Sequence, residues 1–318
     1  MPPSVETFDP QAAIRAELLE GLLAEPAHIA SKYFYDALGC KLFEAICELP
    51  EYALTRNEAA IFAEHGAAMA RAIGPGCTLI DLGAGNCAKA AALFPLLHPS
   101  QYVPIDISQD FLLESVARLQ PRFAHIEMTP VAQDFSEHLQ LPASVREQHR
   151  LFFYPGSSIG NFSPSQALAL LRRMRALCLG SDGGVLIGID LLKDKAVLEA
   201  AYDDALGLTA AFNLNLLRHV NRLAGTDFDV KQWLHRAHFN AALGRVEMHL
   251  LAAEDVRLSW PGQQRFFMSG ESIHTENSYK YSIEGFTELL QRAGFEVQGQ
   301  WTDADQGFAV IHARASAG

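Results

Sequence analysis

Three aspartates in the first half of the chain close short apolar runs: Cys77-Thr-Leu-Ile-Asp81, Tyr102-Val-Pro-Ile-Asp106 and Met128-Thr-Pro-Val-Ala-Gln-Asp134. Runs of this length and composition read as buried strands. Open α/β sheets bind ligands outside the carboxyl ends of their strands, so carboxylates placed there can accept hydrogen bonds from a ligand. Gly83 and Gly85 follow Asp81 directly. Lacking Cβ atoms, they let the backbone of a turn approach a ligand closely. The alanine-rich residues 88–93 then read as a helix. Asp106 is placed to take both hydroxyls of a ribose. Asp134 and Phe135 fit an adenine, the carboxylate taking an exocyclic amine and a backbone N–H a ring nitrogen. Gly83-x-Gly85-x-x-Ala88 also satisfies the dinucleotide fingerprint. A nicotinamide dinucleotide would use Asp106 but leave Asp134-Phe135 without a role.

The elements that must position these groups alternate. The spacing predicts a helix from Asp9-Pro10 to Pro26, a turn-like aromatic stretch over 31–39 and a short helix over 42–47. Thr55 with Glu58 reads as a capping box opening the next helix. Strands at 77–81, 102–107, 128–135, 151–154 and 184–190 alternate with helices at 88–93, 111–119 and one capped by Ser163-Pro164 and stopped at Gly180. Such alternation implies a parallel sheet. The pattern then breaks: residues 191–245 read as helical, and 245–252 and 256–260 as antiparallel strands. A helix at 286–293 and a hairpin of 295–301 with 308–313 close the chain.

The 318 residues are 49% hydrophobic and 19% charged, enough for a real core. The net charge of -12 argues against nucleic-acid and anionic-membrane partners. The first ten residues lack the basic start and apolar centre of a signal peptide, and no apolar run reaches the length of a membrane span. Five cysteines without CxxC spacing read as reduced thiols in a cytoplasmic protein.

Asp81-Leu-Gly-Ala-Gly85 resembles the first motif of S-adenosylmethionine-dependent methyltransferases. More specific motifs occur in one order: Ser31-Lys-Tyr-Phe-Tyr-Asp36, Leu49-Pro-Glu-Tyr52 with Thr55-Arg56, Lys89, Gly156-Ser-Ser-Ile-Gly-Asn161, Tyr202-Asp-Asp204 and His274-Thr-Glu-Asn-Ser278. Together they resemble the histidine-specific methyltransferases of ergothioneine biosynthesis, over nearly the whole chain. The resemblance implies a Rossmann-like class I methyltransferase sheet with a second, inserted substrate domain. It implies S-adenosylmethionine as cofactor and Nα-trimethylation of L-histidine to hercynine. Asp81, Gly83, Gly85, Lys89, Asp106, Asp134 and Phe135 would hold the cofactor. Asn161 and Tyr202 would hold the substrate carboxylate, and Gly156 and Ser158 would face the amine. Tyr52, Glu276 and Ser278 would surround the imidazole, with Met248 packing nearby. The catalytic roles fall to Asn161 and to Tyr35, which would close over the site. Ala53 stands where many relatives have a second tyrosine, and Asn86-Cys87-Ala88 replaces a hydroxyl-rich turn.

The expected organisation is a cofactor domain of residues 57–190 and 281–318 and a substrate domain of residues 1–56 and 191–280, with the active site between them. A monomer acting on a small molecule is expected. The same fold could instead methylate another amino-acid amine, such as that of tryptophan. A non-catalytic sensor of the cofactor would need no substrate-side polar set, yet Asn161, Tyr202, Glu276 and Ser278 are present. His235-x-x-His238, at helical spacing, could ligate a metal with His249 or His274, but no cysteine or acidic cluster joins them, and no metal is expected.

Overall fold

Parallel strands covered on both faces need near-continuous apolar runs. Thr78–Leu82 and Gly184–Asp190 meet that need and are buried along their whole length. The computed structural model describes residues 10–136, 138–178 and 182–316. The expected cap Asp9 and the helix stop Gly180 lie outside the described residues. The chain divides into two compact units, residues 54–193 with 279–318 and residues 1–53 with 194–278.

In chain order the strands are β1 (Ala27–His28), β2 (Thr78–Leu82), β3 (Gln101–Asp106), β4 (Glu127–Met128), β5 (Val131–Ala132), β6 (Arg150–Tyr154) and β7 (Gly184–Asp190). They continue with β8 (Trp233–Asn240), β9 (Arg245–Ala252), β10 (Val256–Trp260), β11 (Gln263–Phe267), β12 (Ser272–Tyr279), β13 (Phe295–Thr302) and β14 (Phe308–Ala315). The helices are α1 (Pro10–Leu23), α2 (Ala37–Ile46), α3 (Leu54–Ile73), α4 (Ala88–Leu97), α5 (Gln109–Leu119), α6 (Pro164–Leu177), α7 (Lys195–Ala200), α8 (Leu208–Ala224) and α9 (Ile283–Arg292).

The first unit is built on a sheet ordered β13-β14-β7-β6-β2-β3-β4, with β5 also paired to β3. From β7 to β4 all pairs are parallel; β14 inserts antiparallel beside β7, and β13 pairs antiparallel outside it. After β5 the chain crosses back over β2 to form β6, so strand order reverses between β2 and β6. That reversal is the switch point where such sheets open a crevice for ligands. Ile80, Val103, Phe152, Ile187 and Ile311 lie in one fully buried cluster with Leu170, Leu171 and Met174 of α6 and Phe286 of α9. The capping box expected at Thr55 is absent: α3 starts earlier, at Leu54, and Glu58 turns inward. The expected third strand breaks into β4 and β5, and Asp134-Phe135 falls in the turn beyond them.

In the second unit, β1, β12, β9 and β8 form a four-stranded sheet in that order, and β10 and β11 form a separate hairpin. Helix α8 packs against α1, α2, β8 and β9 and buries Phe212, Leu216, Leu217 and Val220. The helix expected over 42–47 begins at Ala37, because Asp36 caps it by accepting from the Gly39 N–H at 2.7 Å. Residues 233–240, expected to be helical, form β8 instead; pairing with β9 along the full strand overrides the local preference.

Candidate functional site

The glycine turn after β2 is shaped by backbone conformation. Gly83 (φ +69) and Gly85 (φ +52) are left-handed, and a Cβ at either would meet no atom within 4 Å. The fold therefore requires glycine for its φ angle. The open side of the turn is what a ligand lying against the backbone needs. Gly83 and Ala84 donate their N–H groups to the Ile105 carbonyl at 2.9 and 3.0 Å, tying the turn to β3. Asp106 completes the tie: its carboxylate accepts from Gly85 N at 2.9 Å and Ser108 N at 3.0 Å. The aspartate assigned to the ribose thus also frames the turn.

Asp81 behaves differently. It is 1% exposed, one residue before the end of β2, and accepts from the Tyr102 hydroxyl at 2.7 Å. Burial pushes its carboxyl up to about 7. That hydrogen bond runs into the sheet, toward Tyr102. Asp134 accepts from the Ser136 N–H at 2.9 Å and from the Ser136 hydroxyl, and Phe135 packs edge-on against Tyr154 with centroids 5.7 Å apart.

Beyond β6, Gly156 and Ser157 are both left-handed (φ +75 and +58), which folds residues 158–161 into a 3₁₀ turn. That turn brings Ser158 and Asn161 onto the loop at the switch point. The Ser157 hydroxyl accepts from the Asp190 N–H at 2.8 Å, fixing the loop to the end of β7. Asp190 is itself clamped by Lys193 and by Lys280, the latter at 2.8 Å.

Glu58 is the residue that sequence reasoning missed. It is 1% exposed; Oε1 accepts from Gly156 N at 2.7 Å and Oε2 from the Lys89 ammonium at 2.6 Å. A Cβ at Gly188 would lie 2.3 Å from Oε1, and one at Gly156 would lie 3.1 Å from Lys89 Nζ. Two glycines therefore clear room for a carboxylate that links α4 to the Gly156 loop. The signal was available: Leu54, Glu58, Ile61, Met69 and Ile73 fall on one buried stripe of α3. An acid on such a stripe needs a buried partner.

In the other unit the substrate-side residues form a row. Tyr35 packs edge-on to Phe43 (5.7 Å), Phe43 to Tyr52 (6.1 Å) and Tyr52 to Tyr202 (6.2 Å). The Tyr202 hydroxyl lies 2.7 Å from the Ser278 hydroxyl. Glu276 is close enough that its charge helps raise the phenol of Tyr52, which burial first, and then Tyr202, push well above the usual range. Tyr35 is followed by Asp36, whose carboxylate also takes Asn215 Nδ2 at 2.7 Å and Arg222, so its backbone is anchored to α8. Asp204 accepts from Leu208 N (3.0 Å) and Thr209 N (2.7 Å), fixing the turn that carries Tyr202. Met248 is buried on β9, and its carbonyl accepts from the Thr275 hydroxyl at 3.1 Å, between His274 and Glu276.

The His235-x-x-His238 pair is not a joint site. Three residues apart on a strand, the two rings point to opposite faces. His235 is committed to the Tyr202 carbonyl at 2.8 Å and the Asn213 amide at 2.9 Å. A cleft of about 360 Å³ lined by Asn86, Ala92, Ser115, Arg118 and Arg122 contains none of the expected site residues.

The profile of a family described as histidine-specific methyltransferase, SAM-dependent, matches residues 14–315. Histidine N-alpha-methyltransferase of Mycolicibacterium smegmatis is 36% identical over 305 residues, spanning 94% of each chain. Ergothioneine biosynthesis protein 1 of Neurospora crassa is 31% identical over 287 residues, 87% of this chain and 32% of that protein. The 4-dimethylallyltryptophan N-methyltransferase of Arthroderma benhamiae is 26% identical over 309 residues, 92% of this chain and 90% of that one. The glycine turn, its strand-end carboxylates and the reversal of strand order beside it fit the cofactor that this match names. The protein is a methyltransferase that uses S-adenosylmethionine, and it belongs to the histidine-specific, S-adenosylmethionine-dependent methyltransferase family.

Proposed function

We propose that this enzyme adds three methyl groups to the α-amine of L-histidine, giving hercynine, as a step of ergothioneine biosynthesis. The observation that carries the substrate assignment is the row Tyr35, Phe43, Tyr52, Tyr202 and Ser278, with the Glu276 charge near enough to act on Tyr35 and Tyr52. An imidazole brings a ring N–H to be accepted and a flat apolar face to be packed. Glu276 supplies the acceptor, in a charge-assisted bond worth about 1.5–3 kcal/mol. The tyrosines supply the packing.

The bound cofactor supplies a methyl on a sulfonium, already activated for displacement. The chain's own residues then act through proximity and alignment. Gly83, Gly85, Lys89, Asp106, Asp134 and Phe135 hold the cofactor. Asp81 supports them from inside the sheet through Tyr102. Asn161 and Tyr202 take the substrate carboxylate, while Gly156 and Ser158 face the amine. Burial holds the Tyr52 phenol well above its usual range, so it stays protonated at neutral pH. The substrate ammonium, with a pKa of about 8 or higher, gives up its proton to water before attack. The reading includes a monomer in the cytoplasm, and the five cysteines are free thiols.

The test is mass spectrometry of an amino-acid pool incubated with protein and cofactor. A histidine product heavier by three methyl groups is expected. A methylated tryptophan with untouched histidine would move the substrate to the runner-up, and no methylated product would favour a sensor.

A further inference from the structure

We propose that His238, Glu247 and His249 form a three-ligand site for a divalent transition-metal ion on the β8–β9 hairpin. The register sets His238 opposite Glu247, and His249 lies two residues beyond Glu247 on the same face. The Glu247 Oε2 atom is 3.1 Å from His249 Nε2 and 3.5 Å from His238 Nε2. The three donor atoms all lie within 4.8 Å of one another. In a tetrahedral zinc site, bonds of about 2.0–2.2 Å put neighbouring ligand atoms about 3.3 Å apart. Two edges of such a site therefore already exist, and an ion needs only a small parting of the rings.

The surroundings organise the donors. Glu247 Oε1 is taken by Arg245, at 2.7 Å from Nε and 2.6 Å from the terminal nitrogen, and by Asn240 Nδ2 at 3.1 Å. Oε2 is left to face the imidazoles, in the way outer partners orient a ligating carboxylate. The rings are held by stacking, His238 on His249 at 5.3 Å and His249 on His274 at 4.9 Å, each pair tilted by 27°. His274 is excluded as a ligand, since its Nε2 is used by the Glu276 carbonyl at 2.9 Å. The Nδ1 atoms of His238 and His249 are buried with no hydrogen-bond partner among the described residues. Both rings thus direct their polar chemistry at one carboxylate oxygen.

Two imidazoles and one carboxylate suit zinc, cobalt, nickel or copper, and suit magnesium and calcium poorly. The His238 side chain is 35% exposed, which leaves a coordination position for water. The Arg245 cation on Glu247, and Arg236 opposite His249, oppose a second positive charge. We therefore expect micromolar binding, well short of the affinity of a structural zinc site. The ion would brace β9, which carries Met248, without taking part in methyl transfer.

The experiment is titration of the full-length chain, without an affinity tag and stripped by chelator, with Zn²⁺ and Co²⁺, read by calorimetry and by the visible spectrum of cobalt. One ion per chain, a nitrogen–oxygen cobalt spectrum and a rise in melting temperature are expected. His238→Ala, at the exposed edge strand, should weaken binding at least tenfold, and His249→Gln should do the same while keeping a polar group in place. Chelator should leave histidine methylation unchanged. No binding up to millimolar metal, affinity in both variants unchanged from wild type, or a thiolate charge-transfer band from the cysteines would each overturn the site.

Discussion

Asp106 accepts from two backbone N–H groups of its own unit and Glu276 acts on the phenols of the other, and substituting each should report on a different ligand. Glu276 sits beside phenols whose ionisation it opposes. Glu276→Ala should cost histidine about 2 kcal/mol in transition-state binding, because the imidazole N–H loses a charged acceptor. Tryptophan, with its larger ring, gains room, more so when Met248→Val is added. The ratio of kcat/KM values for histidine and tryptophan, measured on wild type and both variants, should fall. An unchanged ratio in folded protein would remove Glu276 as the reader of the imidazole. Asp106→Ala acts on the cofactor side. It removes the proposed ribose acceptor and the bond to Gly85 N together. Titration calorimetry should show S-adenosylmethionine binding at least tenfold weaker.

Helix α3 contributes Glu58, and that one carboxylate holds Lys89 of α4 and the N–H of Gly156 in register. Removing one partner of a fully buried pair costs about 3–5 kcal/mol, and because the Lys89 side chain is 39% exposed and reaches water the loss here should be smaller, about 1–3 kcal/mol. Urea unfolding of Glu58→Ala should show a loss of that order. Glu58→Gln can still accept from Gly156 but offers Lys89 no charge. It should lose less stability yet still weaken cofactor binding, if Lys89 must be held in place to serve the cofactor. Equal cofactor affinity in Glu58→Gln and wild type would limit Glu58 to a packing role. The hairpin β8–β9 shows the same economy: its register aligns one acid with two imidazoles on a single face.

Across the whole molecule, two buried acids titrate in opposite senses. Burial lifts Asp81 to about 7, so its contribution to stability is full below the unfolded value near 4 and is lost as pH rises through about 7. Glu247 is raised by burial but held down more strongly by Arg245, His249 and Asn240, to about 2. Its contribution is full above the unfolded value of about 4.5 and is lost as pH falls through about 2. Asp81→Asn keeps the shape and the Tyr102 bond but cannot ionise. Melting temperatures of wild type and Asp81→Asn, measured from pH 4 to 8, should diverge in favour of the variant as pH rises. Parallel curves would mean that Asp81 does not titrate in that window.

Much of this protein was legible in the sequence because its signals are local. Parallel strands buried on both faces leave continuous apolar runs, which is why β2 and β7 could be read directly. The glycines of the turn at 83–85 announce positive φ, and Ser163-Pro164 announces a helix start, each through chemistry confined to a few residues. The motifs of the substrate side were visible as residues; their row of aromatic contacts was not. What only the tertiary structure decided are the non-local choices. Glu58 looked like a cap because Thr55 stands three residues before it, but its partners lie 31 and 98 residues away. His235 and His238 looked like neighbours on a helix, yet pairing with β9 made them a strand and turned them apart. Asp81 and Asp106 looked alike at the ends of two runs. Strand register pairs Asp81 with Pro104, two residues short of Asp106, which placed Asp81 inside the sheet against Tyr102 and left Asp106 at the rim. A carboxylate's role depends on what faces it, and what faces it is set by strand pairing and helix packing, which no local pattern records.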